Sequence, residues 1–172
     1  MSKIVKIIAL IFFIAGLIYF SDGIKFNSVF GTGQRVGPLI IDFHVPKGKP
    51  IFKLYDVKPG DVYQRNIDVT NKGNVPKKIL IEGKRTGGTG SNPKIETVLD
   101  IVIKEGANVL YGPKKLSQFF TDSQNPNKIF LDTINPGVHK TYVFQVSLPI
   151  LAGNEFQKKS VIFNIRFLAN PI

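Results

Sequence analysis

Apolar and polar residues alternate along most of the chain after residue 23, which is the pattern of β-strands with one buried face. The alternation is clearest in residues 63–70, 142–148 and 161–167. In the last two segments, the apolar side of the alternation predicts which side chains form the core. These are Phe144, Val146, Phe163, Ile165 and Phe167.

Further segments have the composition of strands, namely residues 39–45, 51–55, 77–82, 98–104, 108–111 and 129–133. Turns rich in Gly, Pro, Asn and Asp separate them. Many short strands joined by such turns predict an all-β fold, an antiparallel β-sandwich. Residues 113–120 predict one short helix with Leu116, Phe119 and Phe120 facing inward, and residues 84–94 predict an exposed loop.

The first 23 residues are organised like a secretory signal peptide. Two lysines precede an apolar run over residues 7–20, which is shorter than the roughly 20 residues that a membrane-spanning helix needs. The sequence does not define the cleavage site, because it has no Ala-x-Ala and the nearest small-x-small triplet is residues 21–23 (SDG). The alternative is an uncleaved anchor that also includes Ile4 and Val5. We expect a secreted protein that meets the membrane only through this segment before cleavage.

Composition excludes several function classes. A chain of 172 residues with 43% hydrophobic residues can build one domain with a real core and is not disordered as a whole. It has no cysteine, which excludes disulfide scaffolds, thiolate metal sites and thiol nucleophiles, so packing alone is expected to hold the exported domain. A formal net charge of +11 favours anionic partners, such as wall or matrix polymers, nucleic acid or lipid headgroups.

Few residues suit catalytic chemistry. The two histidines, His44 and His139, are isolated in the sequence and belong to no HExxH motif. Residues 87–90 (GGTG) lack the Lys-Ser/Thr of a phosphate-binding loop, so we expect a flexible loop. No recognition helix or aromatic platform for sequence-specific nucleic-acid binding is visible, and lysine doublets such as 158–159 are expected to be solvated. We therefore predict no catalytic residue, no metal site and no cofactor, and a protein that is not an enzyme.

Residues 24–30, directly after the signal peptide, alternate like a strand with Ile24, Phe26 and Phe30 on one face. One interpretation is an ordinary first strand of the chain's own sandwich. The other is a strand donated to a neighbouring subunit, whose open sheet edge it completes through main-chain hydrogen bonds. In the second case, the interface residues are Ile24, Phe26, Ser28 and Phe30, and the hinge residues are Gly31, Gly33 and Gly37.

Short motifs follow one another in a fixed order along almost the whole chain. They are residues 19–22 (YFSD), 37–43 (GPLIIDF), 57–61 (VKPGD), 67–74 (IDVTNKGN), 135–137 (NPG) and 149–157 (PILAGNEFQ). This order resembles that of the TasA/camelysin family of secreted biofilm-matrix and surface-fibre proteins. The ordered set, rather than any single motif, carries the resemblance.

The resemblance implies a jelly-roll-like sandwich that is exported by a dedicated signal peptidase and, in fibre-forming members, polymerises by donating its N-terminal strand. It divides the chain into a signal peptide (1–23), a donor strand with hinge (24–35) and a sandwich domain (36–172). We therefore expect an extracellular structural subunit of cell-surface or biofilm-matrix fibres, a head-to-tail homopolymer. The alternatives are a secreted metallo-endopeptidase, since some members carry that label, and a monomeric domain that binds wall or matrix polymers. This chain departs from the family in lacking a metal triad, an Ala before the cleavage junction and a strongly acidic charge.

Overall fold

The computed structural model describes residues 34–172, except 37, 125 and 127. Within these residues, most of the chain lies in β-strands, with one α-helix and two short 3-10 helices between them. The strands are β1 (Gln34–Val36), β2 (Leu39–Asp42), β3 (Phe52–Leu54), β4 (Val62–Asn71), β5 (Lys77–Gly88), β6 (Asp100–Glu105), β7 (Asn108–Lys115), β8 (Ile129–Ile134), β9 (His139–Ser147) and β10 (Val161–Pro171). The helix α1 is Leu116–Asp122, and the 3-10 helices are Ile95–Thr97 and Asn154–Phe156.

The described strands form two antiparallel sheets that face each other across one core. The first sheet has the order β1-β2-β4-β9-β6-β7, and the second has the order β3-β10-β5-β8. From β2 to β5, and again from β8 to β10, successive strands alternate between the two sheets, which is jelly-roll-like connectivity. The predicted all-β antiparallel sandwich with one short helix is confirmed.

The core is built from the strands whose alternation is clearest in the sequence. The five residues predicted to form it are each at most 2% exposed: Phe144, Val146, Phe163, Ile165 and Phe167. The ring of Phe163 stacks on that of Phe52 with 4.6 Å between centroids and meets Phe120 edge-on at 5.5 Å. Phe167 of the four-stranded sheet contacts Tyr142 of the six-stranded sheet at 6.4 Å. Aromatic rings therefore join the two sheets in a chain that has no cysteine.

The helix begins later than the sequence predicts. Residues 113–115 belong to β7, and α1 begins at Leu116. Pro113 fits a strand here because β7 is an edge strand, where a missing backbone N–H removes no necessary ladder bond. Leu116 and Phe119 are buried as predicted, and Phe120 packs against the core. In the described part of the chain, no helix has the length and apolarity needed to cross a membrane.

Residues 84–94 do not form an exposed loop throughout. β5 continues to Gly88 and pairs with β10. A Cβ at Gly88 would lie 2.3 Å from the carbonyl oxygen of Ser160, so only glycine permits this approach. The residues after Gly88 pass over Lys159, whose ammonium group donates to the carbonyl oxygen of Pro93 and which is only 9% exposed. The loop prediction is therefore wrong for the part within β5, including the first half of GGTG, and the expectation of a solvated Lys159 is wrong.

Asn71 is the last residue of β4, and its side chain holds the turn that begins with Lys72 and Gly73. The residue is fully buried, and its Nδ2 donates to the carbonyl oxygens of Val75 and Ile134, both at 2.9 Å. Its Oδ1 accepts a hydrogen bond from the Gly73 N–H at 2.9 Å. All three bonds satisfy a buried amide, and the bond to Ile134 ties the exit of β4 to β8 in the opposite sheet.

Candidate subunit interface

The six-stranded sheet has an incomplete edge along β4. β9 pairs with residues 62–70 on one side of β4, whereas β2 pairs only with residues 68–71 on the other. β2 ends at Asp42, and the chain then turns away at His44, whose φ is +52°. Among the described residues, no strand pairs with residues 62–67 on the β2 side. Their backbone groups therefore form an edge that can accept a further strand.

A groove runs between this open edge and the second sheet. Its walls are residues 62–65 at the start of β4 and residues 51–54, which include the edge strand β3. The guanidinium of Arg65 reaches across it, with Nε donating to the carbonyl oxygen of Ile51 at 3.3 Å. Tyr63 and Arg65 have the inward parity of the buried Ile67, whereas Val62, which is 57% exposed, lies on the outward face. The groove thus combines strand backbone on both sides with the half-buried ring of Tyr63.

Two motifs that lie far apart in the sequence meet at the same end of the sandwich. The N–H of Gly60 donates to the carbonyl oxygen of Leu148 at 2.8 Å, and the N–H of Leu148 donates to the carbonyl oxygen of Asp61 at 3.0 Å. The turn after Leu148 presents Ile150 and Leu151, which are 78% and 93% exposed. Exposed apolar side chains therefore cluster at the end of the sandwich where the groove opens.

His44 and His139 both approach Asp68 on the outer face of the six-stranded sheet. The Nε2 of His44 lies 2.9 Å from one carboxylate oxygen of Asp68, and the Nε2 of His139 lies 3.7 Å from the other. Thr141 Oγ1 donates to this second oxygen at 2.6 Å. Both histidines are surface residues, as expected, and although they are isolated in the sequence, the fold brings both of them to Asp68. Among the described residues, no group of three or more His, Cys, Asp or Glu side chains is placed to hold a metal ion.

Strand register, which the sequence does not reveal, brings this cluster together. Asp42 of β2 lies opposite Asp68 of β4, and His139 of β9 lies opposite Thr70 of β4. The alternation in β4 already indicated that Asp68 and Thr70 share the outward face. Which strands flank β4, and in which register, depends on pairing between distant segments.

The cluster changes the acidity of its carboxyl group. The hydrogen bond from Thr141 lowers the pKa of Asp68, and the hydrogen bond and charge of His44 and the charge of His139 lower it further, against the opposing effect of partial burial. An anionic Asp68 is therefore the form that the folded protein prefers.

Replacing Asp68 by Asn is expected to lower the melting temperature more at pH 7 than at pH 3. A carboxylate whose pKa is lowered by folding stabilises the protein above its unfolded value of about 4, and this contribution is lost as the pH falls through the folded value. Thermal unfolding of wild type and Asp68→Asn at both pH values measures the difference. An equal gap at pH 3 and pH 7 would show that the carboxylate charge has no part in stability.

The sequence-predicted interface residues lie outside the described residues. These are Ile24, Phe26, Ser28 and Phe30 of the donor strand and Gly31, Gly33 and Gly37 of the hinge, and the signal peptide also lies outside. The first described element, β1, pairs with β2 so that Gln34 lies opposite Ile41. Gln34, where the preceding segment joins, therefore lies at the end of the sheet at which β4 loses β2 as its partner. Two strand spacings, about 10 Å, separate β1 from β4.

No protein-family model matches the chain, and no curated protein matches it.

Proposed function

We propose that this protein is an exported structural subunit of cell-surface or matrix fibres, in which residues 24–30 of one copy pair with residues 62–67 of β4 in the next. The open edge of β4 beside the groove carries this proposal. If an edge of this kind stays unpaired on a soluble domain, its N–H and C=O groups can pair with strands of other chains in an uncontrolled way. A strand from a second copy would satisfy its N–H and C=O groups and direct that pairing.

The donor segment fits the edge in length and in side-chain pattern. Seven residues in a strand extend about 23 Å, and six residues of open edge extend about 20 Å. If Ile24, Phe26 and Phe30 face the groove, they lie against the half-buried Tyr63 and the apolar wall of β3. The odd positions, Lys25, Asn27 and Val29, then lie on the outward face of the sheet.

A donated strand is a heterologous contact, because the donor and acceptor surfaces are different parts of the chain. Such a contact repeats from copy to copy without closing and gives filaments rather than dimers. The partner in this proposal is therefore a second copy of the same chain, joined head to tail. The absence of cysteine suits a domain that is exported and held together by packing.

A second candidate function is a monomeric domain that binds anionic wall or matrix polymers. Lys47, Lys49 and Lys58 are exposed in the loops before β3 and β4, and none has an ion-pair partner among the described residues. Electron microscopy of the purified mature protein separates the two candidates, since only the first forms polymers without an added polyanion. A camelysin-like protease is disfavoured here because His44 and Asp68 are bonded to each other, and chelator-sensitive proteolysis by pure protein would favour it instead.

Arg65→Glu is expected to block polymerisation while leaving the domain folded. It reverses the charge on the exposed side chain that crosses the groove where the donor strand packs, and surface substitutions change stability by only about 0.5 kcal/mol. Gln64→Glu is the matched control, because it places the same charge one residue away on the outward face of the same edge. Fibre length by electron microscopy and chemical denaturation give the two readouts. Equal fibre formation by both variants would place the interface elsewhere.

A further inference from the structure

Three charged side chains lie on inward-facing strand positions and meet at the rim between the two sheets. They are Lys140 on β9, Asp132 on β8 and Glu105 on β6, so they come from both sheets. Each lies two residues from a fully buried side chain of its own strand; these neighbours are Tyr142, Ile134 and Ile103. The three charged side chains are 23%, 26% and 30% exposed.

Lys140 is held between the two carboxylates. Its Nζ contacts Oδ2 of Asp132 and lies 2.9 Å from Oε1 of Glu105. The other oxygen of Asp132, Oδ1, accepts a hydrogen bond from the backbone N–H of Thr133 at 2.6 Å. The hydroxyl of Tyr142 is buried nearby and has no hydrogen-bond partner among the described residues. Burial raises the pKa of Tyr142, and the negative charges of Asp132 and Glu105 raise it further.

We propose that Lys140 and Asp132 condense into an intramolecular isopeptide bond, with Glu105 as the general acid and base. The geometry provides the parts of an acyl transfer: a nucleophile in contact with the carboxyl group that it attacks, a second carboxylate beside the amine, and a backbone N–H on the oxygen that becomes negative. This inference goes beyond the proposed fibre function and holds whether or not the protein polymerises.

The reaction begins from the ion pair. The hydrogen bond with Asp132 raises the pKa of Lys140, so the side chain starts as an ammonium. Transfer of one proton from Lys140 to Asp132 gives an amine and a neutral carboxylic acid. Partial burial at the rim between the sheets makes this neutral pair less unfavourable, relative to the ion pair, than it is in open water.

The amine nitrogen of Lys140 then attacks Cγ of Asp132 with its lone pair. Glu105 takes a proton from the attacking nitrogen and delivers it to the departing hydroxyl of Asp132, which leaves as water. A C–N bond replaces a C–OH bond, Glu105 returns to its carboxylate form, and nothing is oxidised or reduced. The Thr133 N–H stabilises the negative oxygen of the tetrahedral intermediate.

The product would join β8 of the four-stranded sheet to β9 of the six-stranded sheet. In a chain without cysteine, this bond takes the place that a disulfide holds in many exported domains. It would restrain the unfolded state by closing a loop, as a disulfide does.

Tryptic peptide mass spectrometry of the exported, folded protein tests the bond. Trypsin does not cleave after an acylated lysine, so we expect a peptide spanning residues 129–158, uncut at Lys140 and about 18 Da below its sequence mass through the loss of one water. The Lys115–Asp100 ion pair, with 2.8 Å between Nζ and Oδ1, is an internal control and should release ordinary peptides. Residues 129–140 at full sequence mass would mean an ion pair only. The same peptide lacking water but cut at Lys140 would mean a succinimide at Asp132. Either result overturns the proposal.

Glu105→Gln tests the acid–base assignment separately, because it keeps the size of the side chain. We expect it to fold and to contain at least tenfold less of the cross-linked peptide when sampled soon after synthesis. Glu82→Gln, which removes the partner of Lys128 on the outer face, is the matched control and should cross-link fully. Full cross-linking in Glu105→Gln would show that Glu105 is not the acid and base of the reaction. Whether the bond forms at all is shown separately by the mass of the wild-type peptide.

Discussion

Deleting residues 24–30 is expected to leave a folded, soluble monomer that no longer forms fibres. The described core residues lie between Leu39 and Phe167, so thermal unfolding should change little, while the open edge of β4 loses its proposed donor. Electron microscopy and sedimentation measure polymerisation, and a free peptide of residues 24–30 added to wild-type subunits should cap their grooves and shorten the fibres.

A matched pair of point variants refines this test. Phe26→Asp places a charge on the face of the donor strand that meets the groove and should abolish fibres, whereas Asn27→Asp places the same charge on the outward face and should not. Normal fibres from the deletion variant, or equal effects of the two substitutions, would contradict strand donation.

Phe163→Ala is expected to destabilise the domain by about 3–5 kcal/mol, as truncation of a buried aromatic side chain does. Phe163 is fully buried and packs against the rings of Phe52 and Phe120, so its removal leaves a cavity between the sheets. Chemical denaturation measures the loss, with Phe130→Ala as the control. Phe130 is 48% exposed on β8, and its truncation should cost about 0.5 kcal/mol. A similarly small loss for Phe163→Ala would mean that the inward face of β10 is misassigned.

The fold could be predicted from the sequence because period-two alternation is a local signal. It located β4, β9 and β10 and identified the inward faces of the last two. The extension of β5 to Gly88 could not be predicted, since it depends on a close approach to Ser160, and glycines in a sequence usually indicate a loop. The burial of Lys159 depends in the same way on carbonyl groups from a distant loop.

Only half of the candidate interface could be predicted. The donor segment has a local signal, because its alternation is followed by glycines. The acceptor edge has none, since it exists only where β2 stops short of its neighbour β4. The cluster around Asp68 and the three charges around Lys140 likewise depend on register between strands.

Disulfide trapping between two copies tests strand donation most directly. Because the chain has no native cysteine, only the introduced thiols can form disulfides. Asn27→Cys places a thiol on the outward face of the donor strand, and Asn66→Cys or Gln64→Cys places one on the outward face of the open edge. When the single variants are mixed and oxidised, cross-strand neighbours with Cβ atoms about 5 Å apart should form disulfide-linked mixed dimers. The double variant should form covalent ladders on a denaturing gel. A double variant that closes its disulfide within one subunit, together with no mixed dimers from the single variants, would show that residues 24–30 pair with their own sandwich and would contradict the fibre proposal.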